Sequence, residues 1–342
     1  MKMRTYILRR LLLLIPVLLG ITVVVFTMTR LGGDPAAMYY THNMNIAQRE
    51  AVRQMLGLNQ NIITQYFSWL GQIIQGNWGT SITNGDRPVL DTILYFFPAT
   101  FELTTVSIII TVPLGIFLGT LSAVKRDRPI DHTTRILALV GVSLPIFVLA
   151  LLLQYVFYFN LHLLPATGRY DQILFIQYAD HWHYYTGFFL IDSLLNDNLT
   201  MFWDGLRHLI LPAVALSFSS LAVITRLMRS SMLEVMNLDY VKTARSKGLP
   251  EKVVLKKHAR RNALIPTTTV VGMMFGGLLS GAVLTETIFA WPGLGSWSTR
   301  AMTTFDSASI MGFVLFTSII FVLANLIVDI SYVYLDPRVK LE

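Results

Sequence analysis

The chain has 342 residues, of which 54% are hydrophobic and only 14% are charged. Soluble domains carry about 25% charged residues, so this chain has too little polar surface to coat a soluble globule of its size. It contains no cysteine, which excludes disulfides and thiolate metal sites. The net charge of +7 suggests nucleic acid at first sight. In so apolar a chain, however, the distribution of the basic residues decides, and we expect a lipid bilayer and no nucleic acid as its partner.

Six uncharged runs are long enough to cross a bilayer, which requires about 20 apolar residues. They are Leu11–Met28, Leu103–Val124, Ile136–Leu161, Leu209–Thr225, Ala263–Thr285 and Ser307–Val328. The first run follows basic residues, as a secretory signal does, but it is longer than a typical signal core and no small-residue cleavage site follows it. The sequence therefore predicts an all-α membrane protein with six transmembrane helices, the first of them retained.

Basic residues are unevenly distributed between the two sides of this six-helix arrangement. With a cytoplasmic N-terminus, twenty of the 27 lysines and arginines fall on the inner side, and ten of these lie between Arg226 and Arg261. Cytoplasmic loops of membrane proteins carry such an excess of basic residues. We therefore predict a multi-pass protein of the cell membrane with both termini in the cytoplasm.

Two long outer segments separate the predicted spans. The first, about 30–98, opens with the turn signal Gly32–Pro35 and continues with apolar residues at helical spacing, which predicts short helices at the outer interface. The second, about 160–208, is rich in aromatic residues such as Trp182 and Phe189. These residues form either an interfacial belt or a docking surface for a partner that delivers substrate, and composition alone favours the belt.

Small residues recur at four-residue spacing on two of the predicted spans. They are Gly115 and Gly119 on the second span, and Gly272, Gly276 and Ser280 on the fifth, with Gly277 and Gly281 beside them. Such spacing lets helix backbones approach closely in lipid. Glycine is common in membrane helices, but the fifth span concentrates small residues within ten positions. We therefore expect the fifth span to be central.

The inner loop between the fourth and fifth spans carries the strongest local pattern. Tyr240–Lys247 has helical character and is followed by Gly248 and Pro250. Glycine ends a helix through a left-handed turn, and a proline two residues later prevents its continuation. A fresh helix is predicted from Glu251 to Arg261. A basic loop held only by lipid headgroups does not require such a corner, whereas a rigid element pressed into another protein does.

This loop resembles the cytoplasmic signature of the permeases of binding-protein-dependent ABC importers. The resemblance rests on Tyr240–Leu249 followed by His258–Pro266. The family's general form is Glu-Ala-Ala, three residues, Gly, nine residues and Ile-x-Leu-Pro. Here Lys242-Thr243-Ala244 occupies the first triplet, so the glutamate is absent, and the distance from Gly248 to Pro266 is five residues longer. Both departures are usual in the dipeptide, oligopeptide and nickel branch.

Further motifs along the chain are similar to the first (B-type) permease subunit of that branch. They are Arg9–Pro16, Gly33–Pro35, Ala99–Thr104, Ser143–Phe147, Thr186–Asp192, Thr285–Phe289, Trp291–Gly295 and Leu335–Arg338. The resemblance implies a type I ABC importer permease-like fold. It also implies four kinds of partner: a homologous second permease subunit, two cytoplasmic ATPase subunits, an extracytoplasmic solute-binding protein and the lipid bilayer.

The resemblance further implies a division of the chain and a coupling site. Residues 1–98 hold the first transmembrane helix and an extracytoplasmic segment, 99–335 form the core permease domain with a cytoplasmic coupling loop at 226–262, and 336–342 form a cytoplasmic tail. The residues implied in ATPase coupling are Lys242, Thr243, Ala244, Arg245, Gly248, Leu249 and Pro266. Among substrates we expect di- or oligopeptides, with oligosaccharides or nickel as the alternatives.

Two other classes of function fit the sequence less well. The chain has no Gly-Lys of a phosphate-binding loop, no His-Glu-x-x-His and no Gly-x-Ser-x-Gly. We therefore expect no enzyme, no metal at Asp180–His183 and no cofactor in this chain, with ATP and Mg bound by the partner ATPase subunits. An ion-coupled secondary transporter often places paired ionisable groups within its spans. Here Glu102 and Glu286 lie at span ends, and we retain them as candidates for lining the translocation path.

Overall fold

The computed structural model describes residues 3–41, 43–279 and 282–335, which are mainly helical. The α-helices are α1 (Met3–Leu31), α2 (Ile46–Met55), α3 (Ile62–Ile74), α4 (Val89–Val124), α5 (Pro129–Ser143), α6 (Ile146–Leu153), α7 (Gln172–Ile176), α8 (Phe189–Leu195), α9 (Leu199–Met236), α10 (Asp239–Ser246), α11 (Glu251–Val253), α12 (Arg260–Leu279), α13 (Val283–Ile288), α14 (Leu294–Thr303) and α15 (Ser307–Leu335). Shorter elements are the π-helical segments Gln154–Asn160 and Val254–Ala259, the 3-10 turns Ala37–Tyr39, Ile82–Asn84 and Ala179–His181, and the antiparallel strands β1 (Thr80–Ser81) and β2 (Arg87–Pro88).

Five helical stretches of the described residues are long and apolar enough to cross a membrane. They are Leu11–Leu31, Val89–Val124, Leu199–Met236, Glu251–Leu279 and Ser307–Ile327. A sixth crossing requires the bent pair Pro129–Ser143 and Ile146–Asn160. The predicted all-helical membrane fold is confirmed, and its six spans are present when the bent pair counts as one crossing.

The third predicted span, Ile136–Leu161, is not one helix, because α5 and α6 meet at 105°. Leu144 is extended, with ψ 118°, since a residue before proline is disfavoured in the helical region. Pro145 in turn has no N–H for the backbone ladder. With 15 residues, α5 measures about 22 Å, which is short of the hydrocarbon thickness of about 30 Å. The Ser143-Leu-Pro sequence carried the signal for this break.

Helix α9, and not the fifth predicted span, occupies the centre of this chain. Of its most apolar window 67% is buried inside the chain, against 22% for the stretch that includes α12. The expectation of a central fifth span is therefore wrong within this chain. The physical reason is that α9 packs against α4, α5 and α12 together, so most of its surface is covered.

The glycines of α4 permit the closest of these approaches. A Cβ at Gly115 would lie 2.6 Å from Ile224 Cγ2, and one at Gly119 would lie 2.6 Å from the carbonyl oxygen of Thr225, both on α9. Gly141 serves in the same way between α5 and α9, where a Cβ would lie 2.8 Å from Ala222 Cβ. Only hydrogen atoms in place of side chains let these helix backbones lie so close.

Fewer of the small residues of α12 lie at close helix–helix contacts than their spacing in the sequence predicted. A Cβ at Gly276 would lie 3.0 Å from Ala324 Cβ on α15, whereas one at Gly277 would meet no atom of the described residues within 4 Å. Gly272 is half-buried. Ser280 and Gly281 lie outside the described residues, between the end of α12 and the start of α13. The predicted fifth span therefore ends inside a different helix.

The first outer segment contains the predicted short helices, α2 and α3. Asn45 forms a capping box with Gln48 at the start of α2, an arrangement that satisfies free N–H groups at a helix N-terminus. Helix α3 packs on α1 through aromatic rings, because Tyr66 and Trp69 lie 5.5 and 5.6 Å from the ring of Phe26. The segment is thereby attached to the C-terminal half of α1.

A buried carboxylate holds the β1–β2 hairpin against the start of α15. Asp306 is 1% exposed, and its Oδ2 accepts hydrogen bonds from the Thr83 N–H (3.1 Å), the Thr83 hydroxyl (3.0 Å) and the Ser309 hydroxyl (2.7 Å). Helix α4 then runs unbroken from Val89, across the domain boundary predicted after residue 98. The predicted tail, 336–342, lies outside the described residues.

Aromatic residues of the second outer segment form a local core. Trp182 packs on Phe189 and Phe175 at ring-centroid distances of 5.3 and 5.1 Å, and Tyr170 stacks on Phe189 at 4.5 Å. Trp182 is only 9% exposed and lies inside this core, whereas Tyr184 and Tyr185 are 68% and 59% exposed. For these exposed rings the belt and the docking surface both stay predictions. Met201, in the first turn of α9, is buried in the same cluster.

Candidate functional site

The chain between α9 and α12 folds as the predicted helix–glycine–helix corner, defined here as residues 239–253. Helix α10 ends at Ser246, and Gly248 then adopts φ 75°, in the left-handed region. The Gly248 N–H donates to the carbonyl of Arg245 (2.9 Å), which satisfies a carbonyl group at the end of the helix. Pro250 precedes α11 as its N-cap. The predicted left-handed stop at Gly248 is therefore confirmed.

The corner is fixed internally by an apolar contact and a hydrogen bond. Val241 and Ala244 of α10 are buried against Val254 of the π-helical segment. The Asn262 amide donates to the Tyr240 hydroxyl at 2.7 Å, which ties α10 to the first turn of α12. These contacts tie α10 to the π-helical segment and to the first turn of α12.

An ion pair bridges the two arms across the glycine. The Arg245 guanidinium donates from Nη2 to Oε1 of Glu251 (2.8 Å) and from Nε to Oε2 (3.2 Å), and this bond raises the pKa of Arg245. Lys242 pairs with Asp239 at 3.0 Å. Lys247 is exposed beside them. The solvent-exposed surface of the corner therefore remains basic, although two of its basic side chains are paired with carboxylates.

Six of the seven predicted coupling residues lie in this corner. Lys242, Thr243, Arg245, Gly248 and Leu249 are exposed on it, while the side chain of Ala244 points into its interior. The seventh, Pro266, lies inside α12 fifteen residues after Glu251, about 22 Å along the helix. The structure does not bring it to the corner.

Sequence reasoning missed the residues that hold the corner together. Tyr240 and Asn262 fall within the quoted motif but had no assigned role. The π-helical segment Val254–Ala259 had no signal in the sequence. Such segments are uncommon and frequent at functional sites. The role of the corner in ATPase coupling stays a prediction.

Glu102, a candidate for the path, is engaged in a buried ion pair. It is 7% exposed, and its Oε2 accepts from Nη2 (2.6 Å) and Nε (3.0 Å) of Arg169, while Oε1 accepts from the Leu190 N–H (2.9 Å). Arg169 also donates to the carbonyl of Gly187 at 3.0 Å. This network joins α4 to the second outer segment.

Glu286, the other candidate, is fully buried in α13. Its Oε1 accepts from the Thr100 hydroxyl (2.8 Å) and its Oε2 from the Ser296 N–H (3.0 Å). The loop before α14 leaves room for the carboxylate only because position 293 is glycine, where a Cβ would lie 2.5 Å from Oε2. Burial raises the pKa of Glu286, and these hydrogen bonds oppose the rise. Both carboxylates therefore have partners within the chain, and their place on a path stays a prediction.

The Asp180–His183 segment lies in the second outer segment. Its His183 N–H donates to the Asn196 side chain (2.9 Å), and its Trp182 belongs to the aromatic core. Within the described part of the chain, no group of three or more His, Cys, Asp or Glu residues is placed to hold a metal ion.

Long apolar helices and one bent crossing define a multi-pass helical membrane protein, and the basic corner follows its longest helix. The chain belongs to the family of binding-protein-dependent transport system inner membrane components, whose sequence profile matches residues 111–341. The profile for the N-terminal part of such membrane components matches residues 3–104. The two profiles together cover nearly the whole chain.

Named relatives are similar over the same length. The probable D,D-dipeptide transport system permease protein DdpB of Escherichia coli K12 is 43% identical over 327 residues, 95% of this chain and 94% of that protein. The dipeptide transport system permease protein DppB of Alkalihalophilus pseudofirmus is 41% identical over 99% of this chain and 100% of its own length. The oligopeptide transport system permease protein AppB of Bacillus subtilis is 36% identical over the same shares.

Proposed function

We propose that this chain is the permease subunit of an ATP-driven importer for dipeptides or oligopeptides. The observation that carries the proposal is the 41% identity, over 99% of the chain, to a protein named as a dipeptide transport system permease. Relatives named for D,D-dipeptides and oligopeptides support the same substrate class. Oligosaccharides and nickel remain the alternatives that the experiment below separates.

The proposed assembly contains a second permease subunit, two ATPase subunits that bind ATP and Mg, and a solute-binding protein. The corner is the proposed contact for an ATPase. The position of the corner supports this role. The corner follows α9, which has 38 residues and measures about 57 Å, whereas the bilayer core is about 30 Å thick. Part of α9, and the corner after it, can therefore extend beyond the bilayer core. Leu249, which is exposed, and the exposed Leu238 directly before the corner add apolar contact area to its basic surface.

Both termini and the corner are proposed to lie in the cytoplasm. The distribution of basic residues supports this orientation. Asn84 on the hairpin and Lys252 in the corner test it, because the chain has no cysteine of its own. Single cysteines at the two positions should react with a membrane-impermeant maleimide from opposite sides. Labelling of both from the same side would overturn the arrangement.

The transport experiment uses proteoliposomes that contain this chain, the second permease, the ATPases and the binding protein. Uptake of a labelled dipeptide should require ATP on the ATPase side and should persist when ion gradients are collapsed. Unlabelled peptide should compete, whereas an oligosaccharide or Ni²⁺ should not. Uptake by this chain alone, driven by an ion gradient, would instead establish a secondary transporter. ATP-driven uptake of a labelled oligosaccharide or of Ni²⁺, with no uptake of the labelled dipeptide, would overturn the substrate class.

A further inference from the structure

A cavity lies between α5 and α9 near the end of α4, at the end of the bundle from which the corner projects. Its volume is about 310 Å³. Its polar lining consists of three arginines (Arg135, Arg226 and Arg229) and hydroxyl residues that include Thr134 and Thr225. Neither the family description nor the contacts of the corner account for this concentration of cationic groups.

One of the three arginines is neutralised within the chain. Arg229 donates from Nε and Nη2 to the two carboxylate oxygens of Asp131 at 2.7 and 2.8 Å, and Asp131 is 0% exposed. The same carboxylate also accepts from the Ser122 hydroxyl and the Asp127 N–H. The two oxygens of the Asp131 carboxylate thus accept four hydrogen bonds, and this carboxylate does not neutralise a second arginine.

The other two arginines leave the cavity with two uncompensated positive charges. Among the residues that the structure describes, neither Arg135 nor Arg226 forms an ion pair, and both side chains are exposed. The charge complement of this cavity is therefore an anion. An arginine fork binds phosphate oxygens in two parallel hydrogen bonds, which favours a phosphate group over a halide.

A buried hydroxyl in the same wall lacks a partner. Thr225 is 3% exposed, and its Oγ1 has no hydrogen-bond partner among the described residues. Threonines in helices usually donate to the carbonyl four residues earlier, as Thr134 does to Ile130 at 2.7 Å. A buried hydroxyl without a partner is costly. Because Thr225 lines the cavity, a rotation of its side chain would let a ligand oxygen accept this hydrogen.

The surroundings of the cavity are apolar on the membrane side. Leu139 lines it and is 62% exposed, and Ile136 and Leu137 on the same helix are 61% and 53% exposed. Arg226 directly follows the uncharged run Leu209–Thr225, so the cationic groups lie where that run ends. A ligand in this cavity would therefore meet cations at one end and the exposed apolar side chains of α5 at the other.

We propose that this cavity binds an anionic phospholipid from the leaflet on the side of the corner. Arg135, Arg226 and the Thr225 hydroxyl hold its phosphate, and its acyl chains lie along the exposed apolar face of α5. Basic pockets between transmembrane helices bind anionic headgroups in this way. The bound lipid would bridge α5 to α9, the central helix that leads to the corner.

Intact-mass spectrometry of the full chain in detergent tests this site. Titration with phosphatidylglycerol should give one tightly bound lipid per chain, whereas phosphatidylcholine should not. The Arg135→Gln/Arg226→Gln variant should weaken phosphatidylglycerol binding about tenfold or more, and Thr225→Val should weaken it by a smaller factor. Arg128→Gln is the matched control, because Arg128 is exposed at the same end of the bundle but does not line the cavity.

Four outcomes would overturn the proposal. Equal binding of the two lipids would remove the need for anionic charge. An equal loss in Arg128→Gln would mean diffuse attraction and no built site. Inorganic phosphate that binds as tightly as phosphatidylglycerol would make this a free-anion site without an acyl-chain contact. Loss of the lipid when the second permease assembles with the chain would identify the cavity as a subunit contact.

Discussion

Valine in place of Gly248 tests the corner through its backbone alone. Gly248 adopts φ 75°, and a Cβ at this position would meet no described atom within 4 Å. A new side chain therefore causes no clash, and the cost is that of holding a β-branched residue in the left-handed region, about 1–2 kcal/mol. That cost lowers the population of the native corner relative to its alternatives about 5- to 30-fold.

Two further variants separate conformation from contact. Gly248→Asn should stay near wild type, because asparagine tolerates the left-handed region. Gly85→Val is the matched control, since Gly85 has φ 70° and an equally open Cβ position but lies in the outer hairpin. It should cost the same in backbone energy and leave the corner unchanged.

The assay is retention of the ATPase subunits during purification of the membrane complex, together with ATP-driven uptake. Gly248→Val should lower both, by at most about the factor given above, while the chain still inserts into the membrane. Normal retention and uptake in Gly248→Val would refute the corner as the coupling element. A loss in Gly248→Asn equal to that in Gly248→Val would refute the conformational reasoning and would indicate direct packing of the glycine against a partner.

Four other perturbations follow from specific contacts. Arg245→Glu should weaken ATPase retention. Adding Glu251→Arg should restore retention only if Arg245 acts through its ion pair with Glu251 and not by touching the partner. This exposed ion pair contributes at most about 1 kcal/mol to the stability of the corner. Arg169→Gln should lower the thermal midpoint of the purified chain strongly, since removing one partner of a buried pair costs about 3–5 kcal/mol. The pKa of Glu286 is raised above its ordinary value of 4.5, so as pH rises the unfolded chain loses this proton before the folded chain does, and the folded state loses stability. The midpoint difference between Glu286→Gln and wild type should therefore grow in favour of the variant as pH rises above 4.5, and a constant difference would contradict this. Gly119→Val should destabilise the chain by about 1–3 kcal/mol in denaturant unfolding, and an unchanged midpoint would show that α4 and α9 are not in close contact.

Features that depend on short stretches of sequence were predictable. The apolar runs located the membrane helices because a span requires only length and low charge. Gly248 and Pro250 located the corner because their effect on the backbone is local. The break at Pro145 was equally local, but the uncharged run around it concealed the change of direction.

Features that depend on which helices are neighbours were not predictable from these patterns. Glycine spacing pointed to α12 as central, yet α9 is more buried because three helices surround it. Glu102 and Arg169 are 67 positions apart, and their contact follows from how the outer segment folds back on α4. A local pattern carries no information about such pairings.

The length of α9 has a mechanical consequence. Its first turn is set in the aromatic cluster through Met201, and its last residue, Met236, lies three positions before α10 begins. A rod of about 57 Å that pivots at one end by about 5° moves its other end by about 5 Å. Pro212 interrupts the backbone bonding within the rod and is the point where flexure should concentrate. We expect a rotation of α9 at the corner to displace the aromatic cluster at its other end together with the helices packed on α9, and a stiffer α9 with alanine at position 212 to carry more of that motion.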